Sequence, residues 1–170
     1  SVINMKHVTS CVDFINELHN YFINAKKNKR ILSEDTMDMI LIKFNVKTLK
    51  LTFCGSKQKL ILIKNHEMIE YNTDYFTIGD AQHTVDLTEK EILLEKGDKI
   101  YIFTDGYIDQ FGGSRGKKFK LSNFRQLIES INNMEMSKQN ETIENNMESW
   151  MTENQVYPQI DDMSIMGFKV

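Results

Sequence analysis

Lys99-Ile100-Tyr101-Ile102-Phe103-Thr104-Asp105-Gly106 is the stretch that decides the reading of this chain. Its apolar run, Ile100 to Phe103, is too short for a helix and apolar on both faces, which predicts a strand inside the sheet system rather than at an edge. Lys96-Gly97-Asp98 before it is a tight-turn signal. After it, Asp105 stands where a rigid strand terminates, and Gly106 permits close backbone approach. Upstream, Ser10 is placed to cap a helix predicted from about 11 to 27. Its apolar positions Cys11, Ile15, Leu18, Phe22 and Ala25 keep helical spacing, and Lys26, Lys27, Lys29 and Arg30 lie towards its C-terminal end. From about 37 the period changes to two: Met39, Leu41 and Lys43 alternate with Ile40, Ile42 and Phe44, Lys47-Thr48 turns the chain, and Leu49, Leu51 and Phe53 complete a hairpin. Leu60 to Ile63 and Met68 to Tyr71, joined by Asn65-His66, extend it into a predicted meander of four antiparallel strands. Thr84 to Leu94 has mixed strand propensity, so the antiparallel strands fill about 37–104.

Downstream, Phe124, Leu127, Ile128 and Ile131, then Ile143, Met147, Trp150 and Met151, keep helical spacing and predict an adjacent helix pair within about 121–152. Pro158 lies in an irregular stretch before a final strand at about 163–170. About seven strands in meanders, helices at the beginning and in the C-terminal third, and no βαβ alternation describe an α+β fold with helices on sheet faces. The 170 residues, 41% apolar and with only one proline, suit a single domain and exclude disordered or collagen-like chains. With 21 basic and 24 acidic side chains and no strongly basic stretch, nucleic-acid binding is disfavoured. Cys11 and Cys54 lie far apart in sequence and form no CxxC, which predicts neither a disulfide framework nor a zinc site and fits a reducing cytosol. No apolar run approaches the roughly 18 to 20 residues of a membrane span. The expectation is a cytoplasmic chain without membrane contact of its own, compatible with the cytoplasmic part of a longer membrane-anchored protein.

Two acidic positions carry the chemistry. Asp105 ends the buried strand, and Asp161-Asp162 immediately precedes the last one. Carboxylates far apart in sequence, each fixed to a rigid element, are what a hard divalent cation requires. Neighbouring aspartates in extended backbone point to opposite faces, so one of Asp161 and Asp162 faces a shared site. An Asp-Gly after a strand is equally an ordinary turn, and Asp-Asp an ordinary solvated loop. Patterning alone leaves both readings open.

The order and wording of the segments are more specific. Leu94 to Gln110, followed by two helices and then Asp161-Asp162-Met163-Ser164-Ile165, resembles the C-terminal half of the SpoIIE-like bacterial branch of the metal-dependent type 2C protein phosphatases. Asp38 to Phe53 resembles that family's central hairpin, Cys54-Gly55-Ser56 with Leu60 to Ile63 its Ala-Gly turn and following strand, and Thr77-Ile78-Gly79 its Pro-Ile-Gly-type segment. The resemblance covers about 36–170. It implies a phosphatase-2C-like β-sandwich flanked by helices, with a two-metal Mg²⁺ or Mn²⁺ centre that activates water against a phosphoserine or phosphothreonine. No phosphoenzyme is needed, so no side chain is assigned as a nucleophile. Carried over by motif, Asp105 and Asp161 ligate one ion and Asp162 supports them beside Gly106. Asp109 takes a supporting or accessory-metal position, or is simply a solvated carboxylate at the start of a short helix.

One departure from the family pattern matters. The family's upstream Asp-x-x-Gly-His-Gly segment, and the acidic residue on an early strand before it, do not occur in this sequence. The sequence therefore reads as the later part of a phosphatase domain, its first strands missing, or as a degenerate member. Two remaining acids predict weak metal binding and little or no phosphatase activity for this chain alone. Uncovered sheet edges would also invite dimerisation. The resemblance implies the output domain of a bacterial signalling protein acting on a small phosphorylated regulator of the anti-sigma-factor-antagonist kind. A non-catalytic phosphatase-like partner-binding module is the alternative.

Other residues lean structural. His7, His19, His66 and His83 show no ligand spacing, and Ile143, Met147 and Trp150 read as core anchors. Arg115, Lys117 and Lys118 form a small basic loop after Gly112-Gly113, either a solvated loop or a flap that guides an acidic phosphoprotein.

Overall fold

The computed structural model describes residues 10–30, 32, 35–81 and 86–170. Within it the chain divides into two compact units, one formed by residues before 60 with 71–95, the other by 60–70 with 96–170.

The first unit carries helix α1 (Cys11–Lys27) and a three-stranded antiparallel sheet, β1 (Ile40–Asn45), β2 (Lys50–Gly55) and β5 (Lys90–Leu93), in the order β1-β2-β5. Ser10 caps α1, its side-chain oxygen accepting from the Asp13 backbone N–H at 3.0 Å. The hairpin pairs Ile40 with Gly55 through to Asn45 with Lys50, and Asn45 Oδ1 shapes its turn by accepting from the N–H groups of Lys47 and Thr48. Cys11, Ile15, Cys54, Phe76 and Ile78 form the buried cluster of this unit. His19 joins the frame as an acceptor, its Nδ1 receiving the Gly79 N–H at 3.2 Å, and burial holds its pKa below the usual histidine range. His7 and His83 lie outside the described residues, as do Thr84 and the residue after it.

Cys11 and Cys54, remote in sequence, are brought into hydrogen-bond contact, both free and both buried. Burial pushes both thiols up, Cys54 to about 12. At pH 8 both side chains therefore stay almost wholly as thiols. Ellman's reagent is expected to label neither cysteine in the folded chain and both at once in guanidinium chloride. Rapid labelling of the native protein would contradict the burial.

The second unit is built on strands β3 (Lys59–Lys64), β4 (Glu67–Asn72), β6 (Lys99–Phe103) and β9 (Ile165–Lys169), in the order β4-β3-β6-β9. β6 is interior, paired antiparallel with β3 on one side and β9 on the other, and Ile100, Tyr101 and Phe103 are buried. The predicted four-strand meander is corrected here, because β2 pairs with β1 and β5, while β3 and β4 belong to a different sheet. The break falls at Gly55 to Gln58. The Ser56 N–H donates to Met39, that of Lys57 to Asp74, and Lys57 takes the left-handed conformation (φ +49°), so the chain leaves the β2 ladder. A side chain at Gly55 would meet the Met39 carbonyl oxygen at 2.3 Å, which is why glycine stands there.

Helices α3 (Lys120–Ile131) and α4 (Met136–Thr152) cover this sheet, burying Phe124, Leu127, Ile128, Ile131, Ile143 and Met147 with Ile61, Ile63, Tyr101 and Phe103. The rings of Phe103 and Phe124 lie 4.5 Å apart, those of Tyr107 and Phe124 5.4 Å. The Tyr101 hydroxyl donates to Gln139 Oε1 at 2.6 Å, and Gln139 Nε2 donates to the Met134 carbonyl, so these two buried side chains are paired. Among the described residues there are nine strands rather than seven, the additional pair being the two-residue β7 (Phe111–Gly112) and β8 (Lys117–Lys118). Their hairpin replaces the polar loop expected after Gly112-Gly113. No helix among the described residues is long and apolar enough to cross a membrane.

Candidate functional site

The turn after β6 is a five-residue helix, α2 (Asp105–Asp109), with Asp105 at its start and Gln110 just beyond its end. Asp105, Asp161 and Asp162 are exposed. What joins them is the backbone between Pro158 and Ser164, held against α2 at both ends. At the first end, Thr104 bridges: its hydroxyl donates to the Asp162 carbonyl at 2.8 Å and accepts from the Ser164 N–H at 2.9 Å, while its own N–H donates to the Ser164 carbonyl at 2.9 Å. At the other end, the fully buried Gln110 donates from Nε2 to the Pro158 carbonyl at 2.9 Å and accepts at Oε1 from the Ile160 N–H at 3.2 Å.

Between these clamps Gly106 presses on the acidic turn. A Cβ built on it would stand 2.4 Å from the Asp162 carbonyl oxygen and 3.3 Å from the Asp161 carbonyl carbon. Any side chain there would force the two segments apart. The acidic turn is further fixed by Asp161 itself, whose Oδ1 accepts from the Asp162 N–H at 2.7 Å, and by Gln159 donating to the Asp161 carbonyl. The helix owes its rigidity to the core behind it: the buried Tyr107 donates to the Ile143 carbonyl at 3.0 Å, and burial pushes its phenol well up.

The remaining predicted residues fall as follows. Asp109 is the last residue of α2, not the start of a helix, and its Oδ2 takes the Lys118 ammonium at 2.8 Å. Lys118 is therefore engaged with Asp109, and Arg115 and Lys117 are exposed on the β7–β8 hairpin. That hairpin is anchored by Trp150, whose carbonyl accepts from the Gly113 N–H at 2.7 Å and would clash with a Cβ at Gly112. His66 is exposed in the β3–β4 turn. Thr104 and Gln110 are the residues that sequence reasoning missed. Their signal was adjacency to the Asp-Gly helix, which identifies neither partner.

The donor set at this junction is carboxylate and carbonyl oxygen, the chemistry that Mg²⁺ and Mn²⁺ take. It is small, however. Among the described residues no group of three or more His, Cys, Asp or Glu side chains is placed to hold a metal ion. In its oxygen chemistry the set suits a hard cation, and it forms no closed cage. Beside it, an apolar cavity of about 550 Å³ runs along α4 and the 156–165 segment, with Met147, Met151 and Met163 in its walls.

The sequence profile of the stage II sporulation protein E (SpoIIE) family matches residues 6–170. No curated protein matches the sequence. Among solved structures, the PP2C domain of SiaA from Pseudomonas aeruginosa is 24% identical and superposes with a TM-score of 0.73, over 92% of this chain and 69% of that one. The phosphatase domain of the cell fate determinant SpoIIE from Bacillus subtilis is 9% identical with a TM-score of 0.57, over 96% and 74%. RsbX, solved in complex with magnesium, is 17% identical with a TM-score of 0.57, over 91% and 64%. These likenesses establish an α+β fold of the phosphatase 2C type.

Proposed function

We propose, starting from the fact that the chain belongs to the SpoIIE family, that it is the metal-dependent half-site of a serine/threonine phosphoprotein phosphatase. Asp105 and Asp161 would hold one Mg²⁺ or Mn²⁺, with Asp162 and Gly106 supporting and Asp109 in an accessory place. The observation that carries this reading is the contact of Gly106 with the Asp162 carbonyl, which seats the Asp105 helix on the acidic turn. The magnesium complex of RsbX, a protein of the same fold, supports the choice of cation. A bound cation of this kind supplies charge stabilisation on phosphoryl oxygens and a more acidic water. The chain's own contribution is positional: Thr104 and Gln110 fix the turn, and Arg115 and Lys117 offer positive charge to an acidic phosphoprotein. In that reading the domain is the cytoplasmic output of a bacterial signalling protein, with a substrate of the anti-sigma-factor-antagonist kind.

Titration of manganese into this chain is expected to show one weak site, with a dissociation constant on the order of 1 mM, lost in Asp105→Asn and in Asp161→Asn alike. Retained binding in either variant would overturn the ligand assignment. Hydrolysis of para-nitrophenyl phosphate by this chain with manganese is expected to stay at background, because two acids cannot clamp both attacking and leaving oxygens. Turnover abolished by Asp105→Asn would refute that inactivity.

The absence of a third acidic ligand among the described residues favours a second reading, a phosphatase-like module that binds a partner without hydrolysing it. A longer polypeptide that joins an upstream Asp-x-x-Gly-His-Gly segment to this chain separates the two. Manganese-dependent turnover there supports the enzyme, and an inert, folded product supports the binding module.

A further inference from the structure

We propose that the polar pocket at the start of β6 is a second site, one that binds a small oxyanion of the phosphate or phosphomonoester class. It lies at the far end of β6 from Asp105, and the five residues of that strand span roughly 16 Å. The pocket encloses about 360 Å³, within the size range of small-ligand sites.

Its walls are unusual for an incidental dent. Lys99 and Lys169 sit directly opposite each other in the β6–β9 register, and both line the cavity with Lys96 and His66. Like charges facing each other across an antiparallel pair cost stability. Lys99 is also buried, 9% exposed, although it carries a charge. An ammonium has three donors. Two go to Asn132, one to its backbone carbonyl and one to Oδ1 at 3.0 Å, which leaves a third for a ligand in the cavity that Lys99 lines.

Two acids share the pocket, and they do not cancel this charge. Asp98 is buried and stands 4.0 Å from the ammonium of Lys64, a residue outside the lining, while Glu135 shares the lining with Lys96, Lys99 and Lys169. The excess is positive, it surrounds a cavity, and the amides of Asn132 and Asn133 on the wall add neutral donors for oxyanion oxygens. A dianion between Lys99 and Lys169 would turn their mutual repulsion into two charge-assisted hydrogen bonds. The site owes nothing to the acids at Asp105 and Asp161.

The test follows thermal unfolding and calorimetry of the full chain with inorganic phosphate and with O-phosphoserine, in EDTA so that no metal ion can hold either. Saturable stabilisation is expected, with a dissociation constant on the order of 1 mM, and at least about tenfold weaker binding in Lys169→Ala. Asp105→Asn should bind as the parent chain does. Lys169→Glu, which places an acid opposite Lys99, should unfold no lower than the parent without phosphate and lose the phosphate response. Tighter binding of O-phosphoserine than of phosphate would identify a phosphoprotein as the source, and the reverse would identify free phosphate. An equal response in Lys169→Ala, or a parent response no larger than that to potassium chloride of matched ionic strength, overturns the proposal.

Discussion

Gln110→Leu is expected to lower the stability of the chain by about 3 kcal/mol, although leucine nearly matches glutamine in volume. The residue is wholly buried, and its amide serves the carbonyls of Phe111 and Pro158 and the N–H of Ile160. Leucine would remove all three of these part-buried hydrogen bonds, at a cost of about 1 kcal/mol for each bond lost. For a chain of this length, about 3 kcal/mol corresponds to a fall in the melting temperature of roughly 6 to 12 °C. The Pro158 to Ile160 segment leads directly into Asp161, so the same substitution should weaken manganese binding even below the melting transition. A melting temperature within about 2 °C of the parent would show that the Gln110 clamp contributes little.

Gly106→Val should have an effect of the same order by a different route. The obstacle is a backbone carbonyl at 2.4 Å from the position of the new Cβ, and backbone cannot turn aside as a flexible side chain can. Either α2 or the Asp161-Asp162 turn must move, and overpacking of this kind costs about 1 to 3 kcal/mol. Valine adds a β-branched penalty in helix α2. The expected result is a chain that still folds, since β6 and the α3–α4 core do not depend on Gly106, but that has lost manganese binding altogether. Circular dichroism and calorimetry on the same sample separate these outcomes. Normal metal affinity in Gly106→Val would mean that the tight junction is unrelated to the site.

The two substitutions attack one object, the strap formed by Thr104, Gly106 and Gln110 around the acidic turn. Neither removes an acid. A loss of metal binding from them would therefore show that the contribution of this fold to its chemistry is the placement of two carboxylates that sequence holds 56 positions apart, from Asp105 to Asp161.

Local rules made some of this legible from residues alone. Ser10 followed by apolar residues at helical spacing specifies α1, because a cap and a buried stripe are satisfied within a few turns. The unbroken Ile100 to Phe103 run specifies an interior strand, because only burial on both faces tolerates it. The Asp-Gly at its end and the Asp-Asp before the last strand could be picked out as acids on rigid supports. Partnership was not legible. Nothing in the Leu51 to Ile63 sequence says that β2 and β3 enter different sheets, since both are apolar runs and the break depends on where Ser56 and Lys57 find hydrogen-bond partners 17 residues away at Met39 and Asp74. Gln110 looks like any polar residue after a short helix. Its role exists only once Pro158 and Ile160 arrive beside it. Likewise the facing of Lys99 and Lys169 is a matter of register, which a strand pair sets through its whole buried face. Periodicity and turn chemistry are properties of neighbours along the chain, whereas a clamp, a register and a pocket are made by groups that only folding brings together.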